Sequence, residues 1–408
     1  MRRNEPSYPS SIDTRAVHSG RGDLAELGVH APPLDFSTTN PLMDLGAGTS
    51  SLDAMVAGGE PRGSSVYSRL HNPTVARFEE ALATLEGAEV AVAFASGMAA
   101  LTACLLAHVG PGGHVVACRP LYGGSDHLLT SGLLGIEVTW TTPDEVHAAV
   151  RPDTAMVLIE TPANPTLDLW DIASLVEQAG RVPVLVDSTF ATPVLQQPLS
   201  HGARWVLHSG TKFLGGHGDV LAGVVATDRE AAAALRQVRL VTGGVLHPLA
   251  GYLLHRGLQT LPVRVRAAQA GAQALAERLT ADPAVARVWF PGLDGADPQG
   301  LLGRQLAGPG CVLSFELSGG YEAANRLVQA LRLITPAVSL GSTDTLIQHP
   351  AALTHRVLSD EARAEAGIRP GMLRLSVGLE AVDDLWADLS VGLAAVRRRA
   401  PSIARPVA

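Results

Sequence analysis

The side chain with the greatest chemical potential in this chain is the amine of Lys212. Two hydroxyl side chains, Ser209 and Thr211, stand just before it, and the apolar run 203–207 ends shortly upstream. An amine between hydroxyls at a strand end can form a Schiff base with a carbonyl cofactor whose phosphate the hydroxyls bind. Asp187 follows a second apolar run, 182–186, and its carboxylate can keep a pyridine nitrogen protonated. These four side chains together predict a binding site for pyridoxal 5'-phosphate.

A second segment is suited to binding the same phosphate. Ser96, Gly97 and Met98 stand where the apolar run 90–94 gives way to a predicted helix. Free backbone N–H groups at a helix start bind anions, and glycine allows the anion to approach closely. A tight turn with a serine N-cap is the alternative interpretation of this segment alone. Beside Lys212, we expect it to bind the phosphate.

An aromatic and a cationic side chain complete the candidate site. Tyr122 follows the apolar run 114–118, where its ring can stack on a pyridine and its phenol can transfer a proton. Its alternative role is core packing. Arg374 lies inside the apolar run 373–377, so its guanidinium is predicted to meet a carboxylate from the protein or from a substrate. The alternative for Arg374 is exposure on an edge strand.

Composition restricts the classes of function. The chain has 408 residues, 46% of them hydrophobic, and a formal net charge of -8 without a long basic block. These values argue against binding to nucleic acid or to an acidic membrane surface. The histidines that might suggest a metal lack the spacing of a ligand set, so we expect no metal: His208, His217, His349 and His355. With three scattered cysteines and no apolar signal segment, we expect a cytoplasmic protein.

Short apolar runs alternate with helical stretches, which predicts an α/β fold with a mostly parallel central sheet covered by helices. Strands are predicted at 90–94, 114–118, 136–140, 155–159, 182–186, 204–207 and 221–226. A long helix, 263–279, then introduces a smaller C-terminal α/β domain with strands at 285–290, 311–317 and 373–377. The predicted division is an irregular N-terminal arm (1–65), a large cofactor-binding domain (66–260) and a small C-terminal domain (261–408).

Several further short motifs occur in order between residues 65 and 395. They are Tyr67-Ser68-Arg69, Asn72-Pro73-Thr74, Ala95-Ser96-Gly97-Met98, Tyr122-Gly123, Glu160-Thr161-Pro162, Asn164-Pro165, Asp187-Ser188-Thr189-Phe190, Ser209-Gly210-Thr211-Lys212, Ser339-Leu340-Gly341, Gln348-His349-Pro350 and Arg374-Leu375-Ser376. In this set the chain resembles the cysteine/methionine-metabolism, or trans-sulfuration, family of pyridoxal-phosphate-dependent enzymes. The resemblance implies the architecture of the fold type I PLP-dependent transferases.

The resemblance also implies a role for each matching residue. Lys212 would hold the cofactor and move protons, Asp187 would pair with the pyridinium nitrogen, and Tyr122 would stack on the ring and protonate the leaving thiolate. The phosphate would be bound by Gly97, Met98, Ser209 and Thr211. Tyr67 and Arg69 would reach the phosphate in a neighbouring subunit, which implies a homodimer at least and usually a homotetramer. The substrate amino acid would be oriented by Asn164, Ser339 and Arg374, with Arg374 binding its carboxylate.

The implied reaction is γ-elimination from L-methionine or a related sulfur amino acid, giving 2-oxobutanoate, ammonia and a thiol. Within the family, the 67–72 loop and Gln348 are most similar to those of methionine γ-lyases. Gly124 and the pair Arg239-Leu240 depart from the cysteine and the Lys-Asp pair usual in those enzymes. The alternatives on the same scaffold are a cystathionine γ-lyase and a cystathionine γ-synthase. A catalytically silent interaction protein and a nicotinamide dehydrogenase are the alternatives from other classes; no G-x-G-x-x-G segment supports the latter.

Overall fold

A mixed β-sheet forms the centre of the larger part of the molecule. The structure is a computed structural model that describes residues 10–397. The strands of this sheet are β1 (Val90–Phe94), β2 (His114–Cys118), β3 (Glu137–Thr141), β4 (Thr154–Glu160), β5 (Val184–Asp187), β6 (Trp205–His208) and β7 (Gly223–Thr227). Their order is β1-β7-β6-β5-β4-β2-β3, and every neighbouring pair is parallel except those that include β7. The prediction of a mostly parallel sheet is confirmed.

Helices cover both faces of this sheet. In chain order, the α-helices of the whole described chain, including those of its C-terminal part, are α1 (Ile12–His18), α2 (Leu45–Val56), α3 (Pro73–Glu86), α4 (Gly97–His108), α5 (Gly123–Thr130), α6 (Val146–Ala149), α7 (Ile172–Ala179), α8 (Thr192–Leu195), α9 (Arg229–Thr242), α10 (Pro248–Leu258), α11 (Leu261–Thr280), α12 (Gly320–Ala330), α13 (Asp360–Glu365) and α14 (Val382–Arg397). Successive residues of β1 enter different cores: Ala91 packs with α3 and α10, whereas Val92 packs with α4 and α9. Two covered faces explain why the strands are continuous apolar runs.

A second sheet forms the centre of the C-terminal part. Its strands are β8 (Val285–Trp289), β9 (Val312–Leu317), β10 (Thr335–Pro336), β11 (Leu346–Gln348) and β12 (Met372–Ser376), in the order β10-β11-β12-β9-β8. Helices α11, α12 and α14 bury a shared apolar core against it. The smaller C-terminal α/β unit is therefore confirmed, while its boundary at residue 261 stays a prediction.

The N-terminal region contains helices that its weak pattern did not predict. We expected an irregular segment over 1–65, but α1 and α2 form within it; residues 1–9 lie outside the described part of the chain. Capping explains part of the difference, because the side chain of Asp44 accepts a hydrogen bond from the Ala47 N–H at 2.7 Å at the start of α2. Tertiary packing also contributes, since Ala16 of α1 is buried in the same apolar core as residues of α3 and α11. Such contacts between distant segments leave no local pattern in the sequence.

Candidate active site

A cavity of about 210 Å³ opens where the C-terminal ends of the parallel strands meet segments of the smaller unit. Glu160 ends β4 and Asp187 ends β5, and these two residues are paired across the strands. Carboxyl ends of parallel strands commonly form ligand sites. The predicted residues that line the cavity are Gly97, Met98, Tyr122, Asn164, Asp187, Ser209, Thr211, Lys212, Ser339 and Arg374. Ten predicted residues from seven separate segments of the chain therefore share one cavity.

Lys212 directs its amine toward the smaller unit. It lies in the turn after β6, where its backbone N–H donates to the Ser209 carbonyl at 3.1 Å. The Nζ atom donates to the Ser339 hydroxyl at 3.0 Å. Burial, with a smaller contribution from the charge of Arg374, lowers the pKa of Lys212 from 10.5 to about 8. The unprotonated, nucleophilic form of this amine is therefore far more populated near neutral pH than in an ordinary lysine, although it is still the minor form there.

Asp187 is a buried carboxyl whose Oδ1 atom is hydrogen-bonded by Thr189. Its Oδ1 accepts hydrogen bonds from the Thr189 N–H at 3.0 Å and from the Thr189 hydroxyl at 2.5 Å. The same hydroxyl oxygen accepts from the Ser209 N–H at 2.9 Å, so Thr189 links Asp187 to the segment that carries the lysine. Burial raises the pKa of Asp187, and the bonds from Thr189 oppose that rise. A cationic N–H in the cavity would stabilise the ionised carboxylate in the same sense.

The start of α4 forms a cradle for an anion. The Ser96 side chain caps α4 by accepting from the Ala99 N–H at 3.1 Å, which leaves the N–H groups of Gly97 and Met98 without helical partners. A β-carbon added at Gly97 would lie 3.1 Å from the β-carbon of Ser209, so the two segments approach as closely as glycine permits. Backbone N–H groups and a hydroxyl in this arrangement suit a phosphate.

Thr211 differs from Ser209 in how its hydroxyl is used. The Thr211 hydroxyl donates to the Ala222 carbonyl at 3.2 Å and accepts from the Ala222 N–H at 3.0 Å. It therefore fastens the lysine turn to the segment before β7, and any bond that it makes to a ligand is additional to this pair.

Arg374 occupies the middle of the second sheet. Its guanidinium donates to Asn164 Oδ1 at 2.9 Å and to the Ser339 carbonyl at 3.0 Å. The alternative of an exposed edge-strand arginine is wrong, because β12 lies between β11 and β9 and Arg374 is 3% exposed. Burial lowers the pKa of Arg374 to about 10, so it remains a cation near neutral pH.

The predicted carboxylate partner of Arg374 does not come from the protein. Within residues 10–397, no Asp or Glu oxygen lies within 4.0 Å of its guanidinium nitrogens. Gln348 is a third neutral partner of Arg374. When its side-chain amide is oriented with the oxygen toward the guanidinium, that oxygen accepts a hydrogen bond from Arg374 Nη2 at 2.8 Å. A buried cation with only neutral partners is suited to bind an anionic ligand.

Tyr122 lies at the mouth of the cavity and immediately precedes α5. Its side chain is 39% exposed, and its backbone N–H donates to Glu160 Oε2 at 2.6 Å. Glu160 ends an apolar run as Asp187 does, but its sequence position alone did not predict a function for it. Burial raises the pKa of Glu160 well above its usual value, and the charge of Asp187 adds to that rise. Position at the strand end is the signal that would have identified it.

Two predicted residues lie outside this cavity. The Arg69 side chain donates to the Leu240 carbonyl at 2.6 Å, and its guanidinium carbon lies 5.6 Å from the centre of the Tyr67 ring. Tyr67 is 43% exposed. Neither residue lines the cavity of its own chain, and their contact with the phosphate of a neighbouring subunit stays a prediction.

The donor set of the cavity fits pyridoxal 5'-phosphate. It offers one amine of lowered pKa, one buried carboxyl that could pair with a protonated ring nitrogen, and a cradle of N–H and hydroxyl donors for a phosphate. In the described part of the chain, no three His, Cys, Asp or Glu side chains are grouped to hold a metal ion. No helix of residues 10–397 is both long and apolar enough to cross a membrane.

Comparisons with known proteins point to the same family of enzymes. Residues 13–394 match the family model described as Cys/Met metabolism PLP-dependent enzyme. The L-methionine γ-lyase of Brevibacterium aurantiacum is 57% identical over 391 residues, which are 95% of each chain. Among solved structures, a cystathionine γ-synthase from Xanthomonas oryzae pv. oryzae has a TM-score of 0.88 at 37% identity, covering 96% of this chain and 99% of the other. A cystathionine γ-lyase from Lactobacillus plantarum has a TM-score of 0.87 at 33% identity, covering 95% and 100%.

Proposed function

We propose that this chain, which belongs to the family of Cys/Met metabolism PLP-dependent enzymes, catalyses γ-elimination of L-methionine or a related sulfur amino acid. The products are 2-oxobutanoate, ammonia and a thiol. The chain is a PLP-dependent carbon–sulfur lyase with the fold type I architecture, and its cofactor is pyridoxal 5'-phosphate. Methionine as the substrate is supported by relatives that include the Brevibacterium enzyme.

One observation carries the proposal: the Lys212 amine and the Arg374 guanidinium, which has no directly paired carboxylate, line the same cavity. An α-amino acid carries an amine, an acidic α-proton and a carboxylate on one carbon. A site that holds a nucleophilic amine beside a buried guanidinium can bind that carbon by its carboxylate and exchange protons with it. Bound in this cavity, pyridoxal phosphate supplies an electron sink for the carbanion that forms when the proton leaves.

We assign the protein side chains the following roles in that reaction. Lys212 would hold the cofactor, and its free amine would move protons between Cα and Cβ of the substrate. Arg374 binds the substrate carboxylate, and Asn164 and Ser339 orient the guanidinium and the lysine amine respectively. Tyr122 gives its phenolic proton to the departing thiolate, because a neutral thiol is the better leaving group.

The remaining assignments concern the cofactor. Asp187 pairs with the pyridine nitrogen and keeps it protonated. The phosphate is bound by the N–H groups of Gly97 and Met98 and by the hydroxyl of Ser209, with Thr211 beside them. These roles divide the cavity into a phosphate end at the start of α4 and a substrate end at Arg374, with Asp187 between the residues that would hold the cofactor.

The alternative is cystathionine γ-lyase or cystathionine γ-synthase activity, which the two structural neighbours favour. A γ-synthase captures the same unsaturated carbon skeleton with a thiol instead of releasing it. Product that requires an added thiol and an O-acylhomoserine would therefore indicate replacement, and product formed without either would indicate elimination.

We also propose that the chain acts as a homodimer at least, and as a homotetramer in its usual assembly. Tyr67 and Arg69 support this proposal, since they are exposed and do not line the cavity of their own chain. A cytoplasmic location is supported by Cys104, Cys118 and Cys311, which are free and buried. Sedimentation of the holoenzyme tests the assembly, and a monomer would contradict it.

The decisive experiment incubates the holoenzyme with L-methionine and measures 2-oxobutanoate and methanethiol. We expect both products from the wild type and neither from Lys212→Ala, because that variant lacks the amine that moves the proton. Absence of product from wild-type protein that shows the visible absorption of bound cofactor would refute methionine as substrate. Cystathionine, and O-acylhomoserine with a thiol, would then be compared in the same assay.

A further inference from the structure

The backbone of the turn that carries Tyr122 is hydrogen-bonded on two sides by side chains that have no assigned role in the reaction. On the side of the large sheet, Glu160 Oε2 accepts the Tyr122 N–H at 2.6 Å. On the side of the smaller unit, His355 Nε2 lies 3.2 Å from the Leu121 carbonyl oxygen. Glu160 is 3% exposed and His355 is fully buried. We refer to Glu160 and His355 together as the Tyr122 clamp.

The chemistry of each partner defines the direction of these hydrogen bonds. A carbonyl oxygen only accepts, so His355 Nε2 must carry the proton that it donates to Leu121. Its Nδ1 lies 3.0 Å from the Thr354 hydroxyl, which can donate to it. Burial, chiefly, lowers the pKa of His355 to about 4, so the ring is neutral near neutral pH and has one N–H to give. The histidine is therefore a fixed donor.

A close contact at Gly123 also restrains this turn. Gly123 is the first residue of α5, and a β-carbon added there would lie 2.1 Å from the Thr354 carbonyl oxygen. The segment that carries His355 thus rests directly on the backbone beside Tyr122. The Tyr122 carbonyl accepts from the N–H groups of Ser125 and Asp126 at 2.8 and 3.0 Å, so both polar groups of its backbone are engaged. The N–H and the carbonyl of Tyr122 are both hydrogen-bonded, while the residue lines the cavity.

We propose that Glu160 and His355 are positioning residues that fix Tyr122 over the substrate end of the cavity. This inference rests on the proposed function, in which the Tyr122 phenol protonates the leaving thiolate. Proton transfer requires the donor within hydrogen-bond reach of the sulfur, so a small displacement of the turn lowers the rate of that step. Because Glu160 belongs to β4 and His355 to the smaller unit, the clamp also makes the position of Tyr122 depend on how the two units meet.

Glu160 allows a sharp test, because glutamine preserves its acceptor and methionine removes it at similar size. We expect Glu160→Met to lower kcat by about tenfold to a hundredfold, with KM within about threefold of wild type. Glu160→Gln should retain kcat within about threefold, since its amide oxygen can accept the same N–H. Loss of activity in Glu160→Gln equal to that in Glu160→Met would overturn the proposal and indicate an acid–base role for the carboxyl.

A double-mutant cycle tests whether the residue works through Tyr122. Once the phenol is absent in Tyr122→Phe, adding Glu160→Met should lower kcat by no more than about threefold further. Full additivity of the two losses would overturn the proposal. His355→Leu should behave like Glu160→Met in the same cycle, and His355→Gln, which keeps a donor, should recover most of the loss.

Hydrogen exchange gives a readout that does not depend on catalysis. Amide exchange in the peptide 118–130 should be faster by about tenfold at Tyr122 in Glu160→Met, and near the wild-type rate in Glu160→Gln. Equal protection in all three proteins would overturn the clamp. If the three proteins show this exchange pattern while the wild type forms no product from L-methionine, the clamp is supported and methionine is refuted as the substrate. The failure of one proposal is therefore distinguishable from the failure of the other.

Discussion

The reactivity of Lys212 depends on the place that the fold gives its amine. The amine is partly buried and hydrogen-bonded to the Ser339 hydroxyl, and the positive charge of Arg374 acts on it. Burial and a neighbouring cation both disfavour the protonated form, so the pKa falls from 10.5 to about 8. The fold thus makes a free amine available about where an enzyme of neutral pH needs one.

This shift predicts how the apoenzyme binds its cofactor as pH changes. Only the unprotonated amine attacks an aldehyde, so the rate of covalent attachment should rise with pH and level off above about 8. Arg374→Met removes the second cause of the lowered pKa, and the midpoint should then move to higher pH. Stopped-flow absorbance of apoenzyme mixed with pyridoxal phosphate measures both curves. A wild-type rate that still rises steeply above pH 10 would contradict the prediction.

The residues that sequence patterns identified are those whose position follows from a single element. Lys212 and Asp187 each come just after a strand, and Gly97 begins a helix, so local pattern was enough to predict them. Glu160 occupies the same kind of position, but no function was predicted for it. The function of a carboxyl at a strand end depends on the side chains around it, which the local sequence does not give. The pairing of Arg374 with Asn164 joins residues 210 positions apart and requires the tertiary fold. Short strands such as β10 and the helices before residue 65 were also missed, since packing rather than periodicity stabilises them.

At the scale of elements, the approach of α4 to the lysine segment depends on Gly97. A β-carbon there would lie 3.1 Å from Ser209 Cβ and 3.3 Å from its hydroxyl oxygen. Gly97→Ala should therefore push the two halves of the phosphate cradle apart and weaken cofactor binding by about tenfold to a hundredfold. Gly22→Ala is the matched control, since its β-carbon would meet nothing within 4 Å. Titration of each apoenzyme with pyridoxal phosphate gives the dissociation constants, and equal affinity in the two variants would refute the expected effect.

At the scale of the whole molecule, the question is what completes the phosphate end of the cavity. Gly97, Met98 and Ser209 supply donors from within one chain, but the phosphate has no cationic side chain among the residues that line this end. Tyr67 and Arg69 are exposed and lie outside it. In a closed symmetric dimer each chain would give these residues to the other and receive the same in return. The site would then be built from two copies, with Lys212 from one and Arg69 from the other.

Mixing two defective proteins tests that arrangement. Arg69→Ala lacks the donated cation and Lys212→Ala lacks the amine, so each homodimer should be nearly inactive. In a hybrid dimer, one site combines the intact Lys212 of the first variant with the intact Arg69 of the second, and the other site carries both defects. Random pairing makes about half of the dimers hybrid with one whole site each, so coexpression should restore about a quarter of wild-type activity. If both residues acted within one chain, no mixture would recover activity, and the hybrid would be as inactive as its parents.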